Sequence, residues 1–251
     1  MDFAVGGSAF VAGQSGHRGG QGVVLHSEGL DFGPAWSVVF WVWPTAPISG
    51  YCNFITDGVS GVENSNLEVR VVTDVSKGIR FNARGARDSF MEVETGYLPP
   101  PSVWTHVAVV VDHTEALSYV DGRVVHTARV PAVDPIPTGN PFVLGYDHAH
   151  PLFARMSDLA AYDRALTAAE IATVRASGSR YVRGSEISYP AREGTGTTVH
   201  DASGHGRHLE LRAPATWSAT GPRISSAVLV RAAAKPRPAR EVVFSQRDAS
   251  R

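Results

Sequence analysis

The feature that most limits what this chain can become is the length of its apolar runs: none outlasts a β-strand. The longest, such as VAVVV at 107–111, fall far short of the roughly 18 apolar residues a spanning helix needs. Between the Val-rich pieces, 25 glycines and 16 prolines are scattered along the chain, so a turn follows each run at short interval. The pattern predicts a soluble all-β protein built from two antiparallel sheets, with no membrane insertion. Strand-like stretches lie at 22–27, 37–44, 66–73, 79–83, 89–95, 104–112, 116–120, 123–130, 142–146 and 156–162.

Periodicity separates buried strands from half-buried ones. In WTHVAVVVD (104–112) both alternating sets, Trp104/His106/Ala108/Val110 and Thr105/Val107/Val109/Val111, are largely apolar, so this strand belongs in the middle of a sheet. Leu67, Val69 and Val71 instead alternate with Asn66, Glu68 and Arg70, and Val93 stands between Glu92 and Glu94, which predicts one face toward solvent. VDGRVV (120–125) places Asp121-Gly122 between apolar runs, a signal for a tight hairpin with positive φ at both turn residues. The spacing predicts one short helix near 167–177, capped by Thr167 with Glu170 as its capping-box partner and stopped by Gly178.

The composition shifts after about residue 180. Residues 1–180 read as one sandwich, and 181–226 as strand pieces too few for a second one. Residues 227–251 carry six basic side chains against Glu241 and Asp248, with KPRPAR suggesting an extended arm. The whole chain is nearly neutral, at a formal charge of −1, which argues against nucleic acid or a polybasic membrane contact. Cys52 stands alone, so no internal disulfide is required. The acidic, glycine-cut start MDFAVGGSAFVAG lacks the look of an export signal.

The order of motifs resembles the laminin-G-like family with its concanavalin A-like jelly-roll sandwich. The resemblance is carried by WSVVFWVWP (36–44), WTHVAVVVD (104–112), SYVDGRVV (118–125) and MSDLAAYDRALTAAEI (156–171), and covers roughly residues 22–175. An element that the family often places first, REGTGTTVHDASGHGRHLEL (192–211) with a trailing ATW (215–217), comes last here. Two arrangements accommodate this: a circularly permuted order within one chain, which is preferred, or donation of the segment to a neighbouring subunit.

Enzymes with this sandwich cleave polysaccharides with paired carboxylates. Glu92 and Glu94 share a strand face, but the longer Glu-x-Asp-x-Glu run of the family's hydrolases is absent, and an exposed polar face explains them more simply. No Gly-x-Ser-x-Gly elbow occurs, and Cys52 reads as a small buried side chain. Carbohydrate recognition calls for an aromatic platform with polar neighbours on loops. Two groups have that chemistry: Tyr51 with Asn53 and Asp57, and Tyr146 with Asp147, His148 and His150. Trp36, Trp41, Trp43 and Trp104 are expected in the core, with His106 in the sheet packing. His148 and His150 read as an exposed loop rather than a zinc site.

The resemblance allows one Ca²⁺ at the rim, with Asp158 and Asp201 the matching acids. His205, Arg207 and His208 stand where neutral oxygen donors would be expected, and Asp201 alternatively accepts hydrogen bonds from its own turn. The fold-level resemblance and the compartment argument together imply a noncatalytic structural or adhesion protein of a phage particle, in the tail, a fibre or a head decoration. It would be made in host cytoplasm and carried on the virion. The expected partners are a host surface glycan, copies of itself, and other virion subunits reached through the 227–251 arm. Adhesion modules of bacterial surface proteins and glycan-cleaving enzymes are the alternatives.

Overall fold

The structure is a computed structural model and describes residues 9–12, 23–25, 30, 32–48, 52–57, 67–71, 75–84, 90–132, 142–144, 153–211 and 216–222. In chain order the described elements are β1 (Ala9–Ala12), β2 (Val23–Leu25), β3 (Ala35–Pro44), β4 (Cys52–Asp57), β5 (Leu67–Val71), β6 (Ile79–Arg84), β7 (Phe90–Glu94), β8 (Thr105–Asp112), β9 (Glu115–Val120), β10 (Arg123–Arg129), β11 (Phe142–Leu144) and β12 (Ala154–Tyr162). Helix α1 (Ala168–Ser177) follows, then β13 (Ser185–Tyr189), β14 (Thr198–Val199), β15 (Leu209–Leu211) and β16 (Thr216–Ser218).

These strands form two antiparallel sheets packed as a jelly-roll sandwich. One runs β10-β9-β8-β3-β12-β1-β16, with β13 also paired to β12; the other runs β14-β15-β2-β11-β4-β5-β6-β7. Between them lies the main core, to which Trp36, Phe40 and Val109 contribute from the first sheet and Phe54, Phe81 and Val93 from the second. Phe40 and Phe54 meet across the interior with ring centroids 5.7 Å apart, which ties the two layers by direct aromatic contact.

Helix α1 gives the first sheet a second buried face. Ile171 and Val174 of the helix, with Leu166 and Val182 beside it, pack on Val39, Ala108, Val110 and Tyr162. The alternate positions of β3, β8 and β12 are therefore apolar as well, and β8 is buried along its length up to Asp112. The helix starts where a capping box forms: the Glu170 N–H donates to Thr167 Oγ1 at 3.2 Å, and the Thr167 N–H donates back to Glu170 Oε2 at 2.9 Å. Arg164 adds a two-pronged contact to the same carboxylate at 2.8 and 3.0 Å. It holds the Glu170 carboxyl down to about 2. The β9–β10 turn has φ 49° at Asp121 and 77° at Gly122, the left-handed pair that the Asp-Gly sequence predicts.

Two sequence expectations need correction. The segment around Asn53 and Asp57 is not a loop but strand β4, with a register shift between Asn53 and Ile55 against β5. The bulge lets Phe54 and Ile55 both enter the core, which breaks the period-two pattern by which a strand is recognised. Trp36 and Trp41 are buried as expected, but Trp43 is only half-buried, and Trp41 and Trp43 do not share the main core with Trp36. They sit on the opposite face of β3, in register with His106 and Arg155 respectively, and the Arg155 guanidinium stacks 4.2 Å from the Trp43 ring. Residues beyond 180 join the same sandwich, in keeping with the sequence reading: β13 pairs in the first sheet, β14 and β15 extend the second through β2, and β16 pairs with β1. The 227–251 arm lies outside the described residues.

Candidate functional site

The outer face of the second sheet carries no helix among the described residues, and its chemistry differs from that of the first. Register alone assembles it. Asn53 pairs with Arg70, Arg70 with Arg80 and Arg80 with Glu94, so these four positions form one row across β4 to β7. Thr56, Glu68, Asn82 and Glu92 form the next. The row between them, Ile55, Val69, Phe81 and Val93, faces the core. Polar positions on either side of a core-facing residue of each strand thus become a contiguous polar layer only because the strands are in register.

Within this face the charges are mutually occupied. Arg80 donates from Nη1 to Glu92 Oε2 at 3.0 Å and its Nη2 lies 3.0 Å from Glu94 Oε1, while Lys77 Nζ lies 2.9 Å from the same Glu94 oxygen. Two carboxylates and two cations leave the described part of the face electrically balanced. The polar atoms beside them are not satisfied. Asn53 is 1% exposed, and neither its side-chain oxygen nor its nitrogen has a partner; Arg80 Nε is likewise buried and unpartnered. Burying such a group without a hydrogen bond costs roughly 1–3 kcal/mol, so these donors and this acceptor are where a hydrogen-bonding ligand or water would add most. An amide offers both polarities, and so does a hydroxyl.

Hydrolytic chemistry finds less support here. A glycosidase needs one carboxyl that keeps a proton to give and a second carboxylate placed across the bond. Glu92 and Glu94 stand two apart on one strand, each against a guanidinium. Arg80, which pairs with both, carries no motif that marks it in the sequence. The polar alternation of Arg80 and Asn82 in β6 matches that of Glu92 and Glu94 in β7, yet only the pairing register shows that they meet.

Asp158 and Asp201, the acids that the resemblance offers to Ca²⁺, are engaged otherwise. Asp158 sits at φ 50° in β12, where the pairing with β3 shifts register. Its carboxylate accepts the Ser179 N–H at 2.9 and 3.1 Å and the Ser179 hydroxyl at 2.7 Å. Burial pushes this carboxyl up to about 6, against the opposing pull of the Ser179 hydrogen bonds and of Arg192 and Arg180. Gly178 leaves room for it: at φ 102°, a Cβ there would stand 3.4 Å from Asp158 Oδ2.

Asp201 accepts the N–H groups of Ser188, Ser203 and Arg207 at 3.0, 2.9 and 3.1 Å and the Ser203 hydroxyl at 2.6 Å. The Ser179 and Ser188 hydroxyls, 2.9 Å apart, join the two acids into one network. A calcium ion needs oxygen lone pairs, whereas both carboxylates are surrounded by N–H and O–H donors. This donor set does not fit Ca²⁺, and no group of three or more His, Cys, Asp or Glu side chains among the described residues is placed to hold a metal.

Of the other sequence candidates, Asp57 ends β4, while Tyr51 and the group Tyr146, Asp147, His148 and His150 lie outside the described residues. On the first sheet, His106 is fully buried with both ring nitrogens unpartnered, next to a Trp41 indole whose N–H is also unpartnered. The two rings meet edge to face at 5.2 Å. Burial lowers the His106 pKa to about 3, helped by the positive charge of Arg175, so the ring is neutral at ordinary pH.

Comparison with known proteins follows the architecture. No curated protein matches the chain in sequence. Among solved structures, a provisionally assigned carbohydrate binding protein from Bacteroides ovatus superposes with a TM-score of 0.63 at 12% identity, over 88% of this chain and 62% of that one. The present chain therefore spans about three fifths of that protein's length. A heptameric SAP-like pentraxin from Limulus polyphemus superposes with a TM-score of 0.52 at 15% identity, over 67% of this chain and 82% of that one. At such identities the likeness establishes the fold alone. A laminin G family model, described as the concanavalin A-like lectin/glucanases superfamily, matches residues 17–172. On that match, with two packed antiparallel sheets to carry it, the chain belongs to the concanavalin A-like lectin/glucanases superfamily.

Proposed function

We propose that this protein is a noncatalytic carbohydrate-binding module that holds a neutral, hydroxyl-rich glycan against the outer face of its second sheet, and that it serves as a structural or adhesion component of a phage particle. The observation that carries the binding reading is the buried, unpartnered amide of Asn53, in the same cross-strand row as the unpartnered Nε of Arg80 with Arg70 between them, on a face whose described charges cancel. A strongly charged ligand would have to displace the Arg80 ion pairs, whereas sugar hydroxyls offer both of the polarities that the amide lacks and ask for no exchange of charge. The superfamily's name covers both lectins and glucanases, and the pairing of Glu92 and Glu94 with Arg80 favours the first. The particle setting rests on fold-level analogy and on the lone Cys52, which asks for no oxidising compartment.

Titration calorimetry of the whole chain with neutral polysaccharides, after a glycan array has selected them, tests the binding reading. Asn53→Ala should weaken binding by about tenfold, the loss of one or two hydrogen bonds, with the melting temperature unchanged or raised. Binding that survives Asn53→Ala and Arg80→Met intact would move the site elsewhere. Glycan hydrolysis abolished by Glu92→Gln or Glu94→Gln would replace a binding module by an enzyme. Immunogold labelling of purified virions tests the setting, and label confined to a bacterial surface would favour the adhesion module of a cell-surface protein.

A further inference from the structure

Strand β10 closes one end of the helix-covered sheet, with β9 on one side and no described strand on the other. Every residue of it is exposed or half-exposed, including Val124 at 51% and Val125 at 44%. Among the described residues, no backbone hydrogen bond reaches the other side of the strand. Val130 N–H donates to Thr114 O, and hydrogen-bonded pairs alternate along an antiparallel ladder. Ala128 and His126 therefore bond toward β9, while the N–H and C=O groups of Thr127 and Arg129 point outward. A free edge of this kind is a template for another strand.

Its charge decides which strand. β10 carries Arg123, His126 and Arg129 and no acid. Glu115 stands opposite Arg129 in register, and Asp121 at the turn lies 3.8 Å from Arg175, so the acids nearby already have cationic neighbours. A second copy pairing antiparallel about His126 would set Arg123 against Arg129 twice and His126 against itself, which like-charge repulsion disfavours. We propose that β10 is a docking edge for an extended, acidic and β-branched segment of a partner protein. That segment adds antiparallel to β10, bonds the outward groups of Thr127 and Arg129, covers Val124 and Val125, and places carboxylates against Arg123 and Arg129. This surface is separate from the polar face of the second sheet and does not depend on glycan binding.

Fluorescence anisotropy with a labelled peptide of alternating Glu and Val, set against one of alternating Lys and Val, tests it on the whole chain. The acidic peptide should bind saturably, more weakly as NaCl rises, and the basic one should not bind. Thr127→Pro removes an outward N–H without touching the β9 ladder, and the double variant Arg123→Glu/Arg129→Glu reverses the edge charge on exposed side chains. Each should weaken binding by about tenfold or more, with circular dichroism and melting temperature reporting that the fold is retained. The proposal is overturned if the acidic peptide fails to bind, if it binds the charge-reversed variant equally well, or if both peptides bind alike. Sedimentation showing a wild-type dimer that Thr127→Pro dissolves would also overturn it, because the edge would then be filled by a second copy.

Discussion

The two sheets share one core, yet their outer faces have opposite characters. On the first, Val39, Ala108, Val110 and Tyr162 are sealed beneath α1. On the second, Asn82, Arg80, Glu92 and Glu94 stand in rows with no helix above them among the described residues. A sheet covered on both faces can present only its edges and rim to other molecules, whereas one left polar on its outer side can present a surface. The proposed glycan site uses that second face, while the first sheet is sealed by its helix, and the two roles can be tested separately.

The largest expected effect sets two buried ionisable groups of the first sheet against one another. Burial, helped by Arg175, holds the His106 pKa down to about 3 in the folded protein, against 6.5 for the unfolded chain. The contribution of its neutral form is fully present above 6.5 and is lost as pH falls toward 3, on the order of 5 kcal/mol in all. Asp158 has the opposite sign. Its pKa is raised from 3.8 to about 6, so its contribution is fully present below 3.8 and lost as pH rises through 6, on the order of 3 kcal/mol. Between about pH 4 and 6 the two slopes oppose each other. Urea titrations across that window should show a shallow dependence for the wild type, falling stability with rising pH for His106→Phe, and rising stability with rising pH for Asp158→Asn. Parallel profiles for the two variants would refute the assignment of either buried group.

Next comes the helix-covered face itself. Ile171→Ala, at a fully buried position of α1, should cost about 2–4 kcal/mol, read as a lowered denaturation midpoint, and leave glycan affinity at temperatures below unfolding unchanged. Loss of affinity in the folded variant would mean that the two faces are coupled. On the second sheet the signs reverse: Asn53→Leu removes two unsatisfied polar atoms, so stability should hold or rise by about 1 kcal/mol while glycan binding falls. Stability lost with binding retained would place Asn53 among the structural residues. The smallest effect is the helix start, where Thr167→Ala should cost about 1 kcal/mol by calorimetry without altering recognition.

Much of the fold was legible in the sequence because its signals are local. Asp121-Gly122 can take two successive positive φ values more readily than most pairs, Thr167 and Glu170 satisfy each other across a single turn, and the unbroken apolar run of β8 could only lie in the middle of a sheet. β4 escaped notice because its bulge places Phe54 and Ile55 on one side, and a pattern of period two cannot be read through such a shift. The site was less legible still. Asn53 reads from the sequence as a ligand residue on a loop, whereas the structure buries it within a sheet, at the head of the row that ends at Glu94. Asp158 and Asp201 were picked out by position in the motifs, but whether an acid faces a cation or an N–H depends on what packs against it, here Ser179, Ser188, Ser203 and Arg207.

The sequence by itself determined the strand-length runs, the hairpin, the capped helix and the superfamily, because each is written in neighbouring residues or in their order. Only the tertiary structure decided that Arg80 spans Glu92 and Glu94, that Asn53 is left without a partner, and that β10 is an open edge. Those facts depend on register and burial, which are set by contacts between residues far apart in the chain, and no local pattern of side chains contains them.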